Sequence, residues 1–187
     1  MTKLVWYIHG ANSTPNSFNW IRSNLPEHDI VPISYDHSVS IDIVIEDLVK
    51  RAQKETRPIN IIAHSLGGVI AVRLAQEVAI NKIVTLSSPF GGSNSANIIR
   101  WFAPSHLMND ITPQNKNYLL LKTNRPETPI LSFVSSIGSV LGEETDGVVS
   151  VSSQKALPYA TYVDVKINHF EVLLSPEILG RVEAFLF

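Results

Sequence analysis

Three side chains of this sequence could together make a hydroxyl reactive: Ser65, Asp146 and His169. A serine hydroxyl is a weak nucleophile at neutral pH. It needs an imidazole to take its proton, and the imidazole needs a carboxylate to fix its tautomer and stabilise its cation. The serine lies in Ile59-Asn60-Ile61-Ile62-Ala63-His64-Ser65-Leu66-Gly67-Gly68, which reads as a buried strand, a sharp turn and a helix. A nucleophile elbow requires that order, because the turn lifts the hydroxyl clear of the sheet. Ala63 and Gly67 supply the small residues needed where strand and helix close tightly. The acid stands in Thr145-Asp146-Gly147-Val148-Val149 and the histidine in Asn168-His169-Phe170-Glu171-Val172. Serine, acid, histidine is the chain order expected around such an elbow.

Acyl transfer also needs donors for the oxyanion that forms. The Leu66 N–H, at the helix start after Ser65, is one candidate. The Ala11 N–H is the other: Tyr7-Ile8-His9-Gly10-Ala11 ends a strand, and Gly10 permits a tight turn. His9 is then expected to brace the loop and not to act as the base. Each feature also has an ordinary reading. A serine before glycines can simply open a helix, His-Gly and Asp-Gly are common turns, and a histidine near a helix start is often a cap. Their joint occurrence in order, each after its own strand, favours the chemical reading. The other candidates fit less well. His64 is expected to point away along the elbow, Asp164 lies inside a strand, and Glu143 and Glu144 are the substitutes for Asp146.

The elements that must position these residues recur regularly. Strand-length apolar runs occupy Leu4–Ile8, Ile30–Tyr35, Ile59–Ala63, Lys82–Leu86, Ile130–Val134 and Tyr162–Ile167. Most are continuous Val/Ile/Leu runs, as in parallel sheets covered on both faces. Helices are predicted at Ser17–Leu25, Ile41–Gln53, Leu66–Ala79, Pro113–Lys122 and Pro176–Phe187. Ile41, Ile45, Leu48 and Ala52 form one stripe, as do Ile178, Val182 and Phe185. Ser175 before Pro176 makes a good N-cap and first-turn pair. The alternation implies an open α/β sheet whose strand carboxyl ends carry the site. One segment, residues 91–129, is longer than a normal crossover and carries Trp101, Phe102, Leu107 and Met108.

Composition sets outer bounds. With 187 residues, 44% hydrophobic and 17% charged, the chain suits one compact domain. A net charge of −2 without a basic run suggests no nucleic-acid or anionic-membrane partner. The absence of cysteine removes disulfide and thiolate chemistry. The start reads as a core strand and not as a signal peptide, and no run approaches the length of a membrane span. A soluble, cytoplasmic protein is the expectation.

These motifs resemble the α/β-hydrolase family, particularly small bacterial lipases and esterases. His9-Gly10 is similar to their oxyanion loop, and Ala63-His64-Ser65-Leu66-Gly67-Gly68 to their elbow. Ser88-Pro89-Phe90-Gly91-Gly92-Ser93 and Asp110-Ile111-Thr112-Pro113 with Leu119-Leu120 are similar to segments of triacylglycerol lipases and related lipid-remodelling hydrolases. The resemblance implies a minimal α/β-hydrolase fold: about six strands, mainly parallel, with helices on both faces, lacking the first two antiparallel strands of the full fold. Residues 1–187 are then a single domain, with a short flap within 91–129. Trp101, Phe102, Leu107 and Met108 would line an acyl pocket there, or else pack as ordinary core. Ser65 is implied as nucleophile, His169 as general base and acid, Asp146 as the orienting acid, and Ala11 and Leu66 as the oxyanion hole. Some larger relatives hold calcium near the histidine. Glu171 stands where an aspartate would serve, with no second ligand beside it, and neither metal nor cofactor is expected. The implied reaction is cleavage of a small-molecule or lipid carboxylic ester through an acyl-enzyme. A thioesterase, phospholipase or lipid amidase would use the same triad. A catalytically silent binding module is the alternative of another class.

Overall fold

A computed structural model describes residues 2–92, 112–140 and 142–187. Among these residues, one sheet of six strands dominates: β1 (Lys3–Ile8), β2 (His28–Ile33), β3 (Ile59–His64), β4 (Lys82–Leu86), β5 (Ile130–Ser135) and β8 (Thr161–Val165). Their order is β2-β1-β3-β4-β5-β8, and every pairing is parallel. A separate antiparallel hairpin joins β6 (Gly138–Val140) and β7 (Glu143–Thr145). The helices are α1 (Asn19–Asn24), α2 (Ile41–Ala52), α3 (Leu66–Ala75), α4 (Lys116–Thr123), α5 (Val151–Gln154) and α6 (Pro176–Leu186).

Alternate strand residues feed two cores. Leu4, Trp6, Ile8, Ile59, Ile61 and Ile83 pack with α2, α3 and α4 on one face. Val5, Tyr7, Ile62, Val84, Leu131 and Phe133 pack with α1 and α6 on the other. The helices cover both faces, which is why the central strands carry no polar alternation. On α2 the stripe Ile41, Ile45, Leu48 and Ala52 is buried as predicted, widened by Val44. On α6 the buried stripe ends at Leu186, while Phe185 is only partly covered. The Ser175 side chain accepts from the Ile178 N–H, as its cap position requires.

Several boundaries differ from the sequence reading, those of β2, α4 and α3 most clearly. Strand β2 begins two residues early, where Lys3 pairs with His28 and the Tyr7 hydroxyl meets His28 Nε2 at 2.6 Å. It is an edge strand, so it tolerates Pro32. Helix α4 starts at Lys116 and not Pro113, because the Asn115 side chain caps it by accepting from the Asn117 N–H. Helix α3 ends at Ala75, one turn before Ala79.

Strand order sets where a site can lie. The chain passes from β1 outward to β2, then returns to place β3 on the other side of β1. The carboxyl ends of β1 and β3 therefore flank the switch point of the sheet, where open α/β sheets leave a crevice.

Candidate active site

Ser65 follows β3 at that crevice. Its backbone is left-handed, φ 52° and ψ −126°, a conformation that costs a non-glycine residue energy. The sheet and helix hold it there: the Ser65 N–H donates to the Leu86 carbonyl at 2.9 Å, and its own carbonyl accepts from the Gly68 N–H. The fit around the turn is tight. A Cβ on Gly67 would lie 2.1 Å from the Ile8 carbonyl oxygen, and one on Gly68 2.0 Å from Ser88 Oγ. Leu66 opens α3 immediately after Ser65, so its N–H is among those left without a partner inside the helix.

The loop after β1 lies against this turn. A Cβ on Gly10 would come within 2.9 Å of Ser65 Cβ. His9 is buried and stacks on Tyr35, ring centroids 4.5 Å apart and nearly parallel. Its Nδ1–H donates to the Gly10 carbonyl at 2.8 Å, and the Tyr35 hydroxyl donates to the His9 carbonyl at 2.8 Å. Burial pushes the His9 pKa down, against the pull of the Gly10 carbonyl. His9 is thus a neutral brace, and Ala11 follows it into the crevice.

Asp146 is carried by a tight turn after the hairpin, with Gly147 at φ 97°. Its Oδ1 accepts from the Val148 and Val149 N–H groups at 2.9 and 2.7 Å. Its Oδ2 accepts from His169 Nδ1 at 2.8 Å, Ser135 Oγ at 2.7 Å and Gln154 Nε2 at 3.4 Å. Burial works to raise the Asp146 pKa. The bonds from His169, Val149 and Ser135, together with the charge on His169, outweigh it and hold the carboxyl below its ordinary value. An ionised carboxylate only accepts, so Nδ1 of His169 carries the hydrogen of this bond, and in a neutral imidazole so held the lone pair lies on Nε2. The His169 N–H also donates to the Asp146 carbonyl at 3.1 Å, tying the two loops together.

His169 sits on a capped turn. Asn168 Oδ1 accepts from the Phe170 and Glu171 N–H groups, and Glu171 Oε2 accepts from the Asn168 N–H at 3.0 Å. These reciprocal bonds close a turn that leads into the short helix Glu171–Leu173. The Glu171 carboxylate is thereby engaged with the backbone. Glu143 and Glu144 are exposed and bond to Ser152 and Ser136, away from His169.

Ser65 and His169 line one cavity of about 140 Å³ with Gly10 and Ala11. Asn12 and Ser13 form a polar wall; Val148, Phe170 and Leu173 form an apolar one. Trp101, Phe102, Leu107 and Met108 lie outside the described residues. Of the 91–129 segment, Tyr118 and Leu121 of α4 pack into the core beside α3.

His64 corrects the sequence reading. It does not point away: it lines the same cavity, its ring centroid 4.8 Å from that of His169. Its Nε2–H donates to the His169 carbonyl at 2.8 Å. Burial, with His169 next to it, pushes its pKa down to about 3, so it is neutral. Its position beside the serine gave no sign of this, because the partner is 105 residues away. Ser135, Gln154 and Ser87 were also missed. They carry no motif; Ser135 ends β5 and Ser87 follows β4, places that could have drawn attention, whereas Gln154 on α5 gave no signal.

The comparisons agree with this architecture. The family model described as the PGAP1-like alpha/beta domain matches residues 38–169. No curated protein matches. A mature lipase of Bacillus licheniformis is 15% identical, with a TM-score of 0.68, over 99% of this chain and 92% of that one. An esterase of Pyrococcus furiosus is 20% identical, with a TM-score of 0.69, over 99% and 81%. The phospholipase PlaB of Legionella pneumophila is 16% identical, with a TM-score of 0.58, over 83% of this chain but 45% of its own. At such identities the likeness is one of fold. Together with the family match over most of its length, the parallel sheet and strained serine turn mean that this chain belongs to the PGAP1-like alpha/beta domain family, within the α/β-hydrolase fold.

Proposed function

We propose that the chain is a serine hydrolase cleaving carboxylic esters through an acyl-enzyme. The observation that carries this reading is the 2.8 Å bond from His169 Nδ1 to buried Asp146, with His169 and Ser65 lining one cavity. Ser65 Oγ attacks the ester carbonyl carbon while His169 Nε2 takes the hydroxyl proton. The carbonyl electrons move to oxygen, which the Ala11 and Leu66 N–H groups receive. The tetrahedral intermediate collapses, the ester C–O bond breaks, and the imidazolium returns its proton to the leaving alkoxide. Water, deprotonated by His169, then attacks the acyl-enzyme. The acid leaves and Ser65 regains its proton. The apolar wall of Val148, Phe170 and Leu173 suits an acyl chain. A thioester or phospholipid acyl group would meet the same groups, and one structural neighbour is a phospholipase.

A fluorophosphonate probe tests the reading. Labelling of the wild type and its loss in Ser65→Ala are expected. p-Nitrophenyl esters of increasing chain length then rank acyl preference. Folded wild-type protein that takes no label would favour a silent binding module.

A further inference from the structure

We infer that Ser135 and Ser87 are positioning residues for the Asp146–His169 pair, forming a buried hydroxyl chain that fixes the carboxylate from behind. The inference rests on the hydrolase reading only for its effect on turnover. Ser135, the last residue of β5, donates from Oγ to Asp146 Oδ2, the same oxygen that holds His169 Nδ1–H. Ser87 Oγ lies 2.6 Å from Ser135 Oγ. A hydroxyl has one hydrogen, and Ser135 spends it on the carboxylate, so Ser87 must be the donor across that contact. The chain therefore has a single direction: Ser87 to Ser135 to Asp146, with His169 on the far side. All four residues are buried.

Two further observations show that the fold bears cost and detail to keep the chain in place. Ser87 holds a left-handed backbone, φ 52°, as Ser65 does, although it is not among the described residues that line the Ser65–His169 cavity. Strain of this kind persists only where the surroundings impose it. Gln154 clamps Ser135 on both backbone sides: its Oε1 accepts the Ser135 N–H and its Nε2 donates to the Ser135 carbonyl, each at 2.9 Å. Ser135 can therefore neither rotate its peptide nor drift away from Asp146. A serine merely filling space at a strand end would need none of this.

The test uses Ser135→Ala and Ser87→Gly. Glycine at 87 removes the hydroxyl and also relaxes the left-handed backbone, so a fall in activity there does not come from added strain. In Ser135→Ala, kcat is expected to fall about tenfold, the scale of one hydrogen bond to a charged group, with KM nearly unchanged. With one donor gone, Oδ2 is less firmly placed and its charge is less compensated, which favours the imidazolium, so the pair protonates at higher pH and the acid limb of kcat/KM moves up. Ser87→Gly is expected to show the same changes to a smaller degree. The downfield proton resonance of His169 Nδ1–H, assigned by its loss in Asp146→Asn, should shift or exchange faster with water in both variants. That resonance does not depend on turnover. If Ser135→Ala does not fold, Ser87→Gly carries the same readouts. A resonance and pH profile indistinguishable from wild type in the folded variants overturn the proposal. A resonance that responds to Ser135 in a protein whose Ser65 takes no fluorophosphonate supports the positioning role and retires the hydrolase reading instead.

Discussion

Gly10 is the residue at which the first loop and the serine turn come into contact, and its role is one of space. Its backbone lies outside the left-handed region, so alanine could adopt it. The added Cβ, however, would stand 2.9 Å from Ser65 Cβ and 3.4 Å from His64 Nδ1. The loop must move back, and the Ala11 N–H moves with it. Gly10→Ala is expected to lower kcat/KM for p-nitrophenyl butyrate by about 100-fold, since displacements near 1 Å at a reacting centre have that effect. Its melting temperature should fall by only a few degrees, because the loop borders a cavity. Activity within twofold of wild type would refute the contact argument. At this scale the meeting of His169 with Asp146, and of His169 with Ser65 at one cavity, was legible in the sequence because each residue follows a strand. His64 and Ser135 were not, because their contacts with residues 105 and 11 positions away are announced by no motif.

Among the elements, α3 shows how helix propensity yields to packing. Replacing a helical glycine by alanine ordinarily stabilises by up to about 1 kcal/mol. In α3 the sign should reverse. A Cβ on Gly67 meets the backbone carbonyls of Ile8 and His9 at 2.1 and 2.6 Å, and backbone cannot rotate aside. On Gly68 it meets Ser88 Oγ and Cβ at 2.0 and 2.6 Å; the hydroxyl can turn, but the Cβ yields only if the loop after β4 shifts. Gly67→Ala is therefore expected to destabilise by about 2–3 kcal/mol or more, and Gly68→Ala by less. Urea melts of the two variants check the order; equal stability of Gly67→Ala and wild type would sink the account. The same balance explains which elements could be read in advance. Long apolar runs such as Ile59–His64 have one solution in a covered sheet, so the strands were predictable to within a residue or two. The hairpin Gly138–Val140 and Glu143–Thr145 has three-residue strands with no alternation, and α5 spans four residues, too few to show a period. Both are specified by contacts, as when Gln154 of α5 reaches Ser135.

Across the whole molecule, the parallel sheet encloses polar groups that must keep one protonation state for the fold to hold. No helix among the described residues is long and apolar enough to cross a membrane. Among the same residues, the buried apolar side chains pack into two cores. His64 is locked inside as a neutral imidazole, its pKa pushed to about 3, while in the unfolded chain it titrates near 6.5. Between those values the unfolded state binds a proton that the native state refuses. Native stability must therefore fall as pH drops from about 6.5 toward 3, by up to about 1.4 kcal/mol per pH unit for one such group. His9, also pushed down by burial, adds to the same slope. Asp146, held below its ordinary value, contributes stability that is present above the unfolded carboxyl value and lost as pH falls through the folded one. It acts later in acid and in the same direction. The urea midpoint should thus decline continuously from pH 7 to pH 4. In His64→Gln, which does not titrate, the decline should be shallower, with His9 contributing to the slope that is left. Because the comparison is of slopes, any constant loss of stability in the variant drops out. Identical slopes would mean that His64 takes up its proton without unfolding the chain, and that the elbow can hold an imidazolium against the His169 carbonyl.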